Sequence, residues 1–395
     1  MNILIQGVSV LVQNLIAKNL GVVNFGYFGV LQTDYTIFCA LADFGMATLI
    51  LAYFGKRATQ GSLFRSVLQM RLSMTTLAAL AMMVFAFTVR RGHPAFAGEF
   101  ILAFGLLFQH AFFDWYFICG NFWKKLLVSK VLHTISYTVI MGVSLYVFNF
   151  DSIPSIALAM VVAALPAFGF GVGSAFNRSI FKVTHHTAKF FILMFKSACP
   201  YAVASIASFA YLPVGLYTVA NFDKGDFLGA YNFAHKLVIL ASGLMVHFIS
   251  SSLITLHQTD SKKISLRDQF IFTLFIIAVS SPFWLVPEWT LRIIFFAAPW
   301  TNELLDVSSS CLRILSASLV LQAMRMGMIS TMLKEKRTWL YGAFISAAGI
   351  VNIGVCIFAA KNASETAIPL FTLSGDLLLT IILAVYFIKN RRFCL

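Results

Sequence analysis

Positively charged residues recur at every second gap between the long apolar stretches of this 395-residue chain. Five of these gaps and the C-terminal tail each hold a cluster of three Lys or Arg, whereas the alternate gaps share five such residues. Short loops rich in Lys and Arg stay on the cytoplasmic side during membrane insertion. The alternation therefore predicts about twelve transmembrane helices with both termini in the cytoplasm. The clusters lie at 56–65, 124–130, 178–189, 262–267, 334–337 and 389–392.

The composition also indicates a membrane protein. Hydrophobic residues make up 59% of the chain and charged residues 11%, whereas a soluble domain has roughly 25% charged residues. About twelve spans of about 20 residues each would use most of the chain, so no room is left for a soluble catalytic domain. We therefore predict an all-α polytopic membrane protein.

The net charge of +14 does not indicate nucleic-acid binding, because the basic residues are spread in threes along one membrane face. Topology and attraction to anionic lipid headgroups explain them, so membrane lipids are expected partners. The six cysteines have no CxxC spacing and are interpreted as small buried hydrophobic residues. We expect no nucleic acid, no metal site and no cofactor.

The basic loop at 178–189 divides the apolar stretches into two sets of six. This predicts an N-terminal lobe at 1–182 and a C-terminal lobe at 183–395, with a substrate site between them near the bilayer midplane. The seventh span contains Pro200 and Pro213, so we expect a bent or broken helix, either as a fixed kink or as a hinge. The predicted spans are 3–20, 27–54, 67–89, 100–120, 131–149, 155–176, 190–217, 228–254, 270–290, 303–331, 338–359 and 367–388.

Acidic residues inside the spans are candidates for ion coupling, because a charge in the bilayer is costly and often functional. Asp34 and Asp43 are nine residues apart, about 900° around a helix, so they lie on opposite sides of span 2. We prefer Asp43, the deeper of the two. His110 and Asp114 are four residues apart and would share one face of span 4, either as a proton-carrying couple or as a satisfied buried pair. Asp376 in the last span is a further candidate.

Basic residues inside the spans give the predicted interior a cationic character. Near the cytoplasmic ends, Arg71, Lys196 and Arg325 are expected to extend to the membrane surface. Arg313 is deeper and either pairs with Glu303 or Asp306 or faces the substrate. The remaining candidates for substrate binding are Lys18, Lys236 and Arg313. Such a set suits an anionic substrate, above all a phosphate or diphosphate.

Three groups of short motifs in the apolar stretches carry a family resemblance. The run from Asn19 to Gly26, followed by Ala42-Asp43-Phe44-Gly45, resembles the opening of the polysaccharide repeat-unit flippases. These are the O-antigen type within the multidrug/oligosaccharidyl-lipid/polysaccharide exporter superfamily. The run from Phe227 to Leu237 is similar to the family's Gly-x-Tyr-x-x-Ala segment. Leu312-Arg313-Ile314-Leu315, followed by the basic loop at 334–337, resembles its tenth helix and the loop after it.

This resemblance implies a MATE-like exporter fold of two six-helix lobes in the bacterial inner membrane. It implies that the protein moves an undecaprenyl-diphosphate-linked repeat unit of O-antigen, or of a related polysaccharide, to the periplasmic leaflet by alternating access. Coupling to an H⁺ or Na⁺ gradient is implied as well, and other membrane proteins of glycan assembly are candidate partners. Asp43 and Arg313 fall on motif positions, and Lys18 lies where the family often has a basic residue.

Two alternatives stay open at this point. One is a small-molecule or drug cation antiporter of the same superfamily, which would have an acidic cavity. The other is a membrane enzyme of glycan assembly, a polymerase or ligase. The shortness of the low-charge loops argues against the enzyme, because such enzymes usually carry a large extracytoplasmic loop for the chemistry.

Overall fold

The structure is a computed structural model that describes residues 2–46, 49–50, 61–109, 111–176, 188–222, 225–258, 266–335, 337–362 and 367–390. Across these residues the regular structure is helical, with no strand. The chain divides into two compact units, Met1–Ile206 and Ala207–Leu395. The predicted lobe boundary at 182/183 lies outside the described residues and stays a prediction.

Seven α-helices of the first unit have both ends within the described residues, and the last of them ends at the border of the unit. Its tightest helix pairs include α5 with α6, α3 with α6 and α1 with α2. The helices are α1 Asn2–Asp43, α2 Gly61–Val89, α3 Phe96–Gly105, α4 Asp114–Cys119, α5 Trp123–Tyr146, α6 Ile153–Phe176 and α7 Ala188–Ala207.

The second unit begins with a short 3₁₀ turn, Ser208–Ala210. Its tightest pairs include α14 with α15 and α9 with α12. The helices are α8 Leu212–Phe222, α9 Asp226–Gln258, α10 Leu266–Leu285, α11 Pro287–Ile294, α12 Asn302–Leu315, α13 Ala317–Lys334, α14 Thr338–Asn362 and α15 Ile368–Lys389.

Length and hydropathy qualify eight of the described helical stretches as membrane spans, or nine if α10 and α11 form one bent span. That number counts α1 once, although a non-helical glycine divides it, and it counts α12 and α13 as one stretch. The first two predicted spans are the two halves of α1, which meet at Gly21. Each of the other ten corresponds to one described helix or to a broken helix pair. The chain is thus an all-α polytopic membrane protein, as predicted.

Large apolar side chains point outward from these helices. On α14, Ile350 is 70% exposed and Phe358 is 63% exposed, while Ala348 and Cys356 on the same helix are fully buried. In water such exposure would be unfavourable, whereas in a bilayer lipid covers it and the helix satisfies its own backbone hydrogen bonds. Small residues on the inner face let neighbouring helices approach closely.

Gly21 separates the first two predicted spans. Its φ of 71° and ψ of 173° are non-helical, so α1 consists of two helices that meet at this residue. Only glycine adopts that combination without strain, because a side chain would clash with the backbone. The break occurs at the glycine, near the start of the gap predicted between 20 and 27.

The predicted span 4 is broken, which the sequence analysis did not anticipate. α3 ends at Gly105, a 3₁₀ turn covers Leu106–Phe108, and α4 begins at Asp114. The argument that His110 and Asp114 share one helix face required a continuous helix, so its premise was wrong. His110 itself lies outside the described residues.

Two other breaks follow the proline positions. The predicted span 7 divides into α7 and α8, with Pro200 inside α7 and Pro213 at the start of α8, so the expected break is present. α10 contains Pro282, and α11 turns from it by 95°. A proline lacks the N–H of a helical hydrogen bond and crowds the preceding turn, which favours such bends.

Candidate functional site

Asp43, at the end of α1, forms an ion pair with Arg71 of α2. Asp43 Oδ1 lies 2.9 Å from Arg71 Nη1, and the side chains are 31% and 6% exposed, respectively. The Arg71 guanidinium also lies over the Phe112 ring, 5.3 Å from its centroid. Arg71 is therefore buried between an acid and an aromatic ring, and the prediction that it extends to the membrane surface was wrong.

The turn after Asp43 explains the glycine of the Asp43-Phe44-Gly45 motif. Gly45 has a φ of 68°, and a Cβ added there would lie 2.8 Å from the backbone nitrogen of Ala202. Phe44 stacks on Phe195 of α7 with ring centroids 4.6 Å apart. A side chain at position 45 would therefore be strained by its backbone angles and would push α7 away.

Asp34 of α1 is part of a second cluster in the same unit, with Arg90 and Glu99. Arg90 Nη2 donates to Asp34 Oδ2 at 3.1 Å, and Arg90 Nε lies 3.4 Å from Glu99 Oε1. All three side chains are at most 5% exposed. Asp34 and Asp43 thus pair with different basic residues, one on α2 and one directly after its end. That they lie on opposite sides of their helix stays a prediction.

Asp114, the first residue of α4, pairs with Lys130 of α5. Both side chains are partly exposed, at 21% and 29%. Lys130 belongs to a basic cluster that the sequence analysis assigned to topology alone. The structure gives it a carboxylate partner as well.

In the second unit, Arg325 of α13 and Asp376 of α15 form a buried ion pair. Arg325 Nη2 lies 2.5 Å from Asp376 Oδ1, and Arg325 Nη1 donates to the Asp376 carbonyl at 3.2 Å. The side chains are 8% and 0% exposed. As with Arg71, the prediction that Arg325 extends to the membrane surface was wrong, because the carboxylate holds it inside the helix bundle.

Asn352 of α14 connects three elements beside this pair. Its amide nitrogen donates to the Ala210 carbonyl at 2.8 Å, and its oxygen accepts from Ser374 Oγ and from the Gly375 backbone N–H. The Arg325 guanidinium lies 5.7 Å from the centroid of the Tyr211 ring. A fully buried amide with these partners fixes α14 against α15 and the 3₁₀ turn.

The predicted substrate-binding cations occupy three different environments. Lys18 is exposed on the first segment of α1, and Lys236 is half-buried on α9. Arg313, on α12, is 50% exposed, and its Nη2 lies 3.8 Å from Glu288 Oε1. The acidic neighbour of Arg313 is thus Glu288 of α11. The sequence analysis considered Glu303 or Asp306 as a partner, with a position facing the substrate as the alternative.

A cavity of about 340 Å³ lies within the first unit. It is bordered by both segments of α1 and by α3, α5 and α6. Most of its polar lining is neutral. The polar side chains are those of Ser9, Gln13, Gln32, Tyr35, His133, Thr134 and Tyr137.

Each described acid among the predicted sites therefore has a basic partner from outside the predicted set. Arg71 and Arg325 had been discounted, Lys130 had been assigned to topology, and neither Arg90 nor Glu99 had been considered for the interior. The signal that could have found them was their position, within about two helical turns of a predicted span end. A single sequence does not reveal which helices are neighbours, so the pairs could not be assembled from it.

The described helices share the fold of transporters of the MOP superfamily. Lipid II flippase MurJ in an inward closed conformation has a TM-score of 0.75 at 14% identity, covering 99% of this chain and 86% of its own. A multidrug resistance MATE family transporter in an inward-facing conformation has a TM-score of 0.69 at 12% identity, covering 98% and 94%. A MOP superfamily transporter from Pyrococcus furiosus Vc1 has a TM-score of 0.61 at 13% identity, covering 98% and 93%. At these identities the likeness concerns the fold, which is the predicted MATE-like exporter fold.

The sequence itself places the chain more narrowly. Residues 1–254 match the family described as polysaccharide biosynthesis protein, and the chain belongs to that family. The predicted membership of a polysaccharide exporter family and the prediction of a transporter rather than an enzyme are confirmed. No curated protein matched the chain by sequence.

Proposed function

We propose that this protein is a flippase for a lipid-linked oligosaccharide. It moves an undecaprenyl-diphosphate-linked repeat unit across the bacterial inner membrane. The repeat unit is that of O-antigen, in lipopolysaccharide biosynthesis, or of a related surface polysaccharide. Both termini are cytoplasmic, and transport proceeds by alternating access. The observation that carries the proposal is the match of residues 1–254 to a polysaccharide biosynthesis family, in a chain with a MOP transporter fold.

The diphosphate of the substrate is received by basic side chains, for which we propose Lys18, Lys236 and Arg313. Arg313 has the best geometric support. Its contact with Glu288 is long, at 3.8 Å, and both side chains are about half exposed. Such a pair contributes little stability, so Arg313 can exchange the carboxylate for a diphosphate at small cost.

Ion coupling is proposed for Asp43, Asp114 and Asp376, together with His110. The described acids are each paired with Arg or Lys, so an incoming proton or Na⁺ would compete with a fixed internal cation. Asp376 Oδ2 supports this role, because it is buried and has no hydrogen-bond partner in the described part of the chain. Binding of an ion at such a pair would release the basic partner and loosen the contact between the helices that carry it.

The geometry gives no comparable support to a drug cation antiporter. That function needs carboxylates that face an organic cation, whereas Asp34, Asp43, Asp114 and Asp376 are bridged to internal bases. An organic cation would have to displace an intramolecular partner at each of them. The assembly-enzyme alternative is not retained, since the family and the structural neighbours are transporters and flippases.

A deletion strain tests the proposal in the cell. A strain that lacks the gene should lose its surface polysaccharide. It should accumulate lipid-linked repeat units whose sugars face the cytoplasm. Arg313→Ala and Lys18→Ala, inserted at wild-type level, should restore export at least tenfold less well than the wild type. The matched controls are Arg292→Ala and Lys361→Ala, which remove exposed basic residues outside the proposed site.

The proposed flippase function and the proposed cationic binding site would be refuted by two different results. Unchanged surface polysaccharide and no accumulated intermediate in the deletion strain would refute the flippase. Full export by both Arg313→Ala and Lys18→Ala would leave the flippase standing and would refute the cationic site.

A further inference from the structure

We propose that the cluster of Asp34, Arg90 and Glu99, hereafter the triad, binds one proton, which its two carboxyl groups share at neutral pH. The triad joins three elements of the first unit: α1, the end of α2 and α3. This site was not among the candidates from the sequence. It does not depend on the proposed transport function.

Burial and geometry define the site. Arg90 bridges the two acids, with Nη2 at 3.1 Å from Asp34 Oδ2 and Nε at 3.4 Å from Glu99 Oε1. Relative exposures of the residues are 2% for Asp34, 4% for Arg90 and 0% for Glu99. Water therefore does not screen these charges from one another, and their sum must be near zero for the site to be stable.

The charges do not balance without a proton. Two ionised carboxylates against one guanidinium would leave a net negative charge in the interior. Two carboxyl groups that share a site in this way do not both ionise. A single proton makes the triad neutral, with one carboxylate paired to Arg90.

The surrounding elements do not supply a second positive charge. His93 lies in the loop between α2 and α3, and its Nδ1 accepts a hydrogen bond from the Ala95 backbone N–H at 3.2 Å. Burial and the charge of Arg90 lower the pKa of His93 to about 4, so it is neutral at neutral pH. α6, which packs on α3, has no Asp, Glu, Lys, Arg or His along Ile153–Phe176. On α1 the neighbouring charges are Lys18 and Asp43, and on α2 they are Arg65 and Arg71, each more than two helical turns along the chain from Asp34 or Arg90, respectively. Arg91, directly after Arg90, is exposed, and its guanidinium lies over the Phe87 ring, 5.5 Å from the centroid, so it is not buried with the triad.

A second observation concerns Glu99 itself. Both of its carboxyl oxygens are buried, and neither accepts a hydrogen bond from a donor group in the described part of the chain, while the Asp34 carboxyl group lies within hydrogen-bonding distance of it. An ionised carboxylate in such a place would lose its hydration without gaining donors, which is strongly unfavourable. A proton removes this cost, because one carboxyl group can then donate a hydrogen bond to the other.

A proton fits the triad better than a metal cation does. Arg90 already bridges the acids and would repel a second fixed cation between them. No group of three metal-ligating side chains occurs among the described residues. Na⁺ and other metal ions prefer several oxygen ligands, whereas a proton requires one.

Infrared spectroscopy of the purified protein tests the proton directly. At pH 7 in Na⁺-free buffer, the wild type should show a carboxylic-acid carbonyl band that shifts in D₂O. Glu99→Gln and Asp34→Asn should each remove one protonated carboxyl from this band, because the remaining acid then pairs with Arg90 as a carboxylate. Glu303→Gln, an exposed carboxylate on α12, is the matched control and should leave the band unchanged.

A double-mutant cycle provides a second readout that does not use the band. Glu99→Gln and Asp34→Asn should each shift the melting temperature by no more than Glu303→Gln does. The Asp34→Asn/Glu99→Gln double variant leaves Arg90 buried without a counter-charge, and its melting temperature should fall by far more than the sum of the single shifts.

Three outcomes would overturn the proton site. The first is a wild-type band that neither single variant changes. The second is additive melting shifts in the cycle. The third concerns the part of the carboxylic-acid band that Glu99→Gln removes. If the wild type loses this part when Na⁺ is added at constant pH, the site binds a metal cation.

Discussion

At the scale of single residues, burial distinguishes ion pairs that are costly to open from ion pairs that open easily. Arg325 and Asp376 are 8% and 0% exposed, whereas Arg313 and Glu288 are 50% and 49% exposed. Removing one partner of a buried pair leaves the other charge desolvated and unpaired. In the water-filled cavity that the proposed substrate site requires, water screens the exposed pair, so little is lost when it breaks. Opening the buried pair therefore requires an incoming ion that replaces the lost charge, whereas the exposed pair is available to a ligand at small cost.

Asp376→Asn should destabilise the protein strongly. The substitution leaves the Arg325 guanidinium buried without a counter-charge, and the free energy of unfolding should fall by about 3–5 kcal/mol. Glu288→Gln, which removes the acid of the exposed pair, should cost less than about 1 kcal/mol. Denaturant unfolding of both variants in the same detergent makes the comparison, and equal stabilities would contradict the account of the buried pair.

The sequence identified the acidic residues that lie inside the membrane spans, but it did not show which basic residues they pair with. Asp34, Asp43, Asp114 and Asp376 were recognised because acids are rare in apolar spans. Their bases come from other helices, with Arg90 56 residues after Asp34 and Asp376 51 residues after Arg325. Arg71 and Arg325 lie near span ends, which suggested that their side chains extend to the membrane surface. Their ion pairs with Asp43 and Asp376 hold them inside the protein instead. Which helices are adjacent is a property of packing that one sequence does not encode in a readable form.

At the scale of elements, breaks in helices follow local chemistry where glycine or proline is present. Gly21 divides α1, Pro200 and Pro213 flank the break between α7 and α8, and Pro282 precedes the 95° turn into α11. These breaks could be expected from the sequence. The break between α3 and α4 has no proline, and Phe112 and Phe113 pack there against Phe168 of α6. Aromatic packing against a neighbouring helix is invisible to a periodicity argument, so this break was missed.

Gly21→Ala should be costly through the backbone alone. A Cβ at this position meets nothing within 4 Å, yet the φ of 71° with ψ of 173° is accessible to glycine and strained for alanine. The expected loss of stability is about 1–3 kcal/mol. Gly7→Ala in the same helix is the matched control, because Gly7 has no positive φ and also meets nothing within 4 Å, so alanine there should be neutral or slightly stabilising.

Melting temperatures of the two glycine variants in detergent measure this difference. If Gly21→Ala and Gly7→Ala melt together, the break in α1 would not depend on the glycine, and the two-helix description of this segment would have to be revised.

At the scale of the whole molecule, hydropathy predicted the helical architecture well, whereas the membrane orientation indicated by the charge alternation stays a prediction. Lipid selects for apolar spans and membrane insertion selects for the side on which cations remain, so both act directly on the sequence. The fold class and the family followed from these signals and from short motifs spread along the chain. Substrate specificity leaves no such signal, because it depends on a few side chains placed by the packing of many helices.

The transport of a lipid-linked oligosaccharide is most directly tested with purified protein in liposomes. Undecaprenyl-diphosphate oligosaccharide is placed in both leaflets, and a membrane-impermeant glycosidase is added outside. With the protein, the glycosidase should reach nearly all of the lipid-linked sugar, while in protein-free liposomes the inner-leaflet share stays protected. Arg313→Ala should slow the loss of protection and Arg292→Ala should not. Protection equal to that of protein-free liposomes, at verified protein incorporation, would contradict the assignment as a flippase.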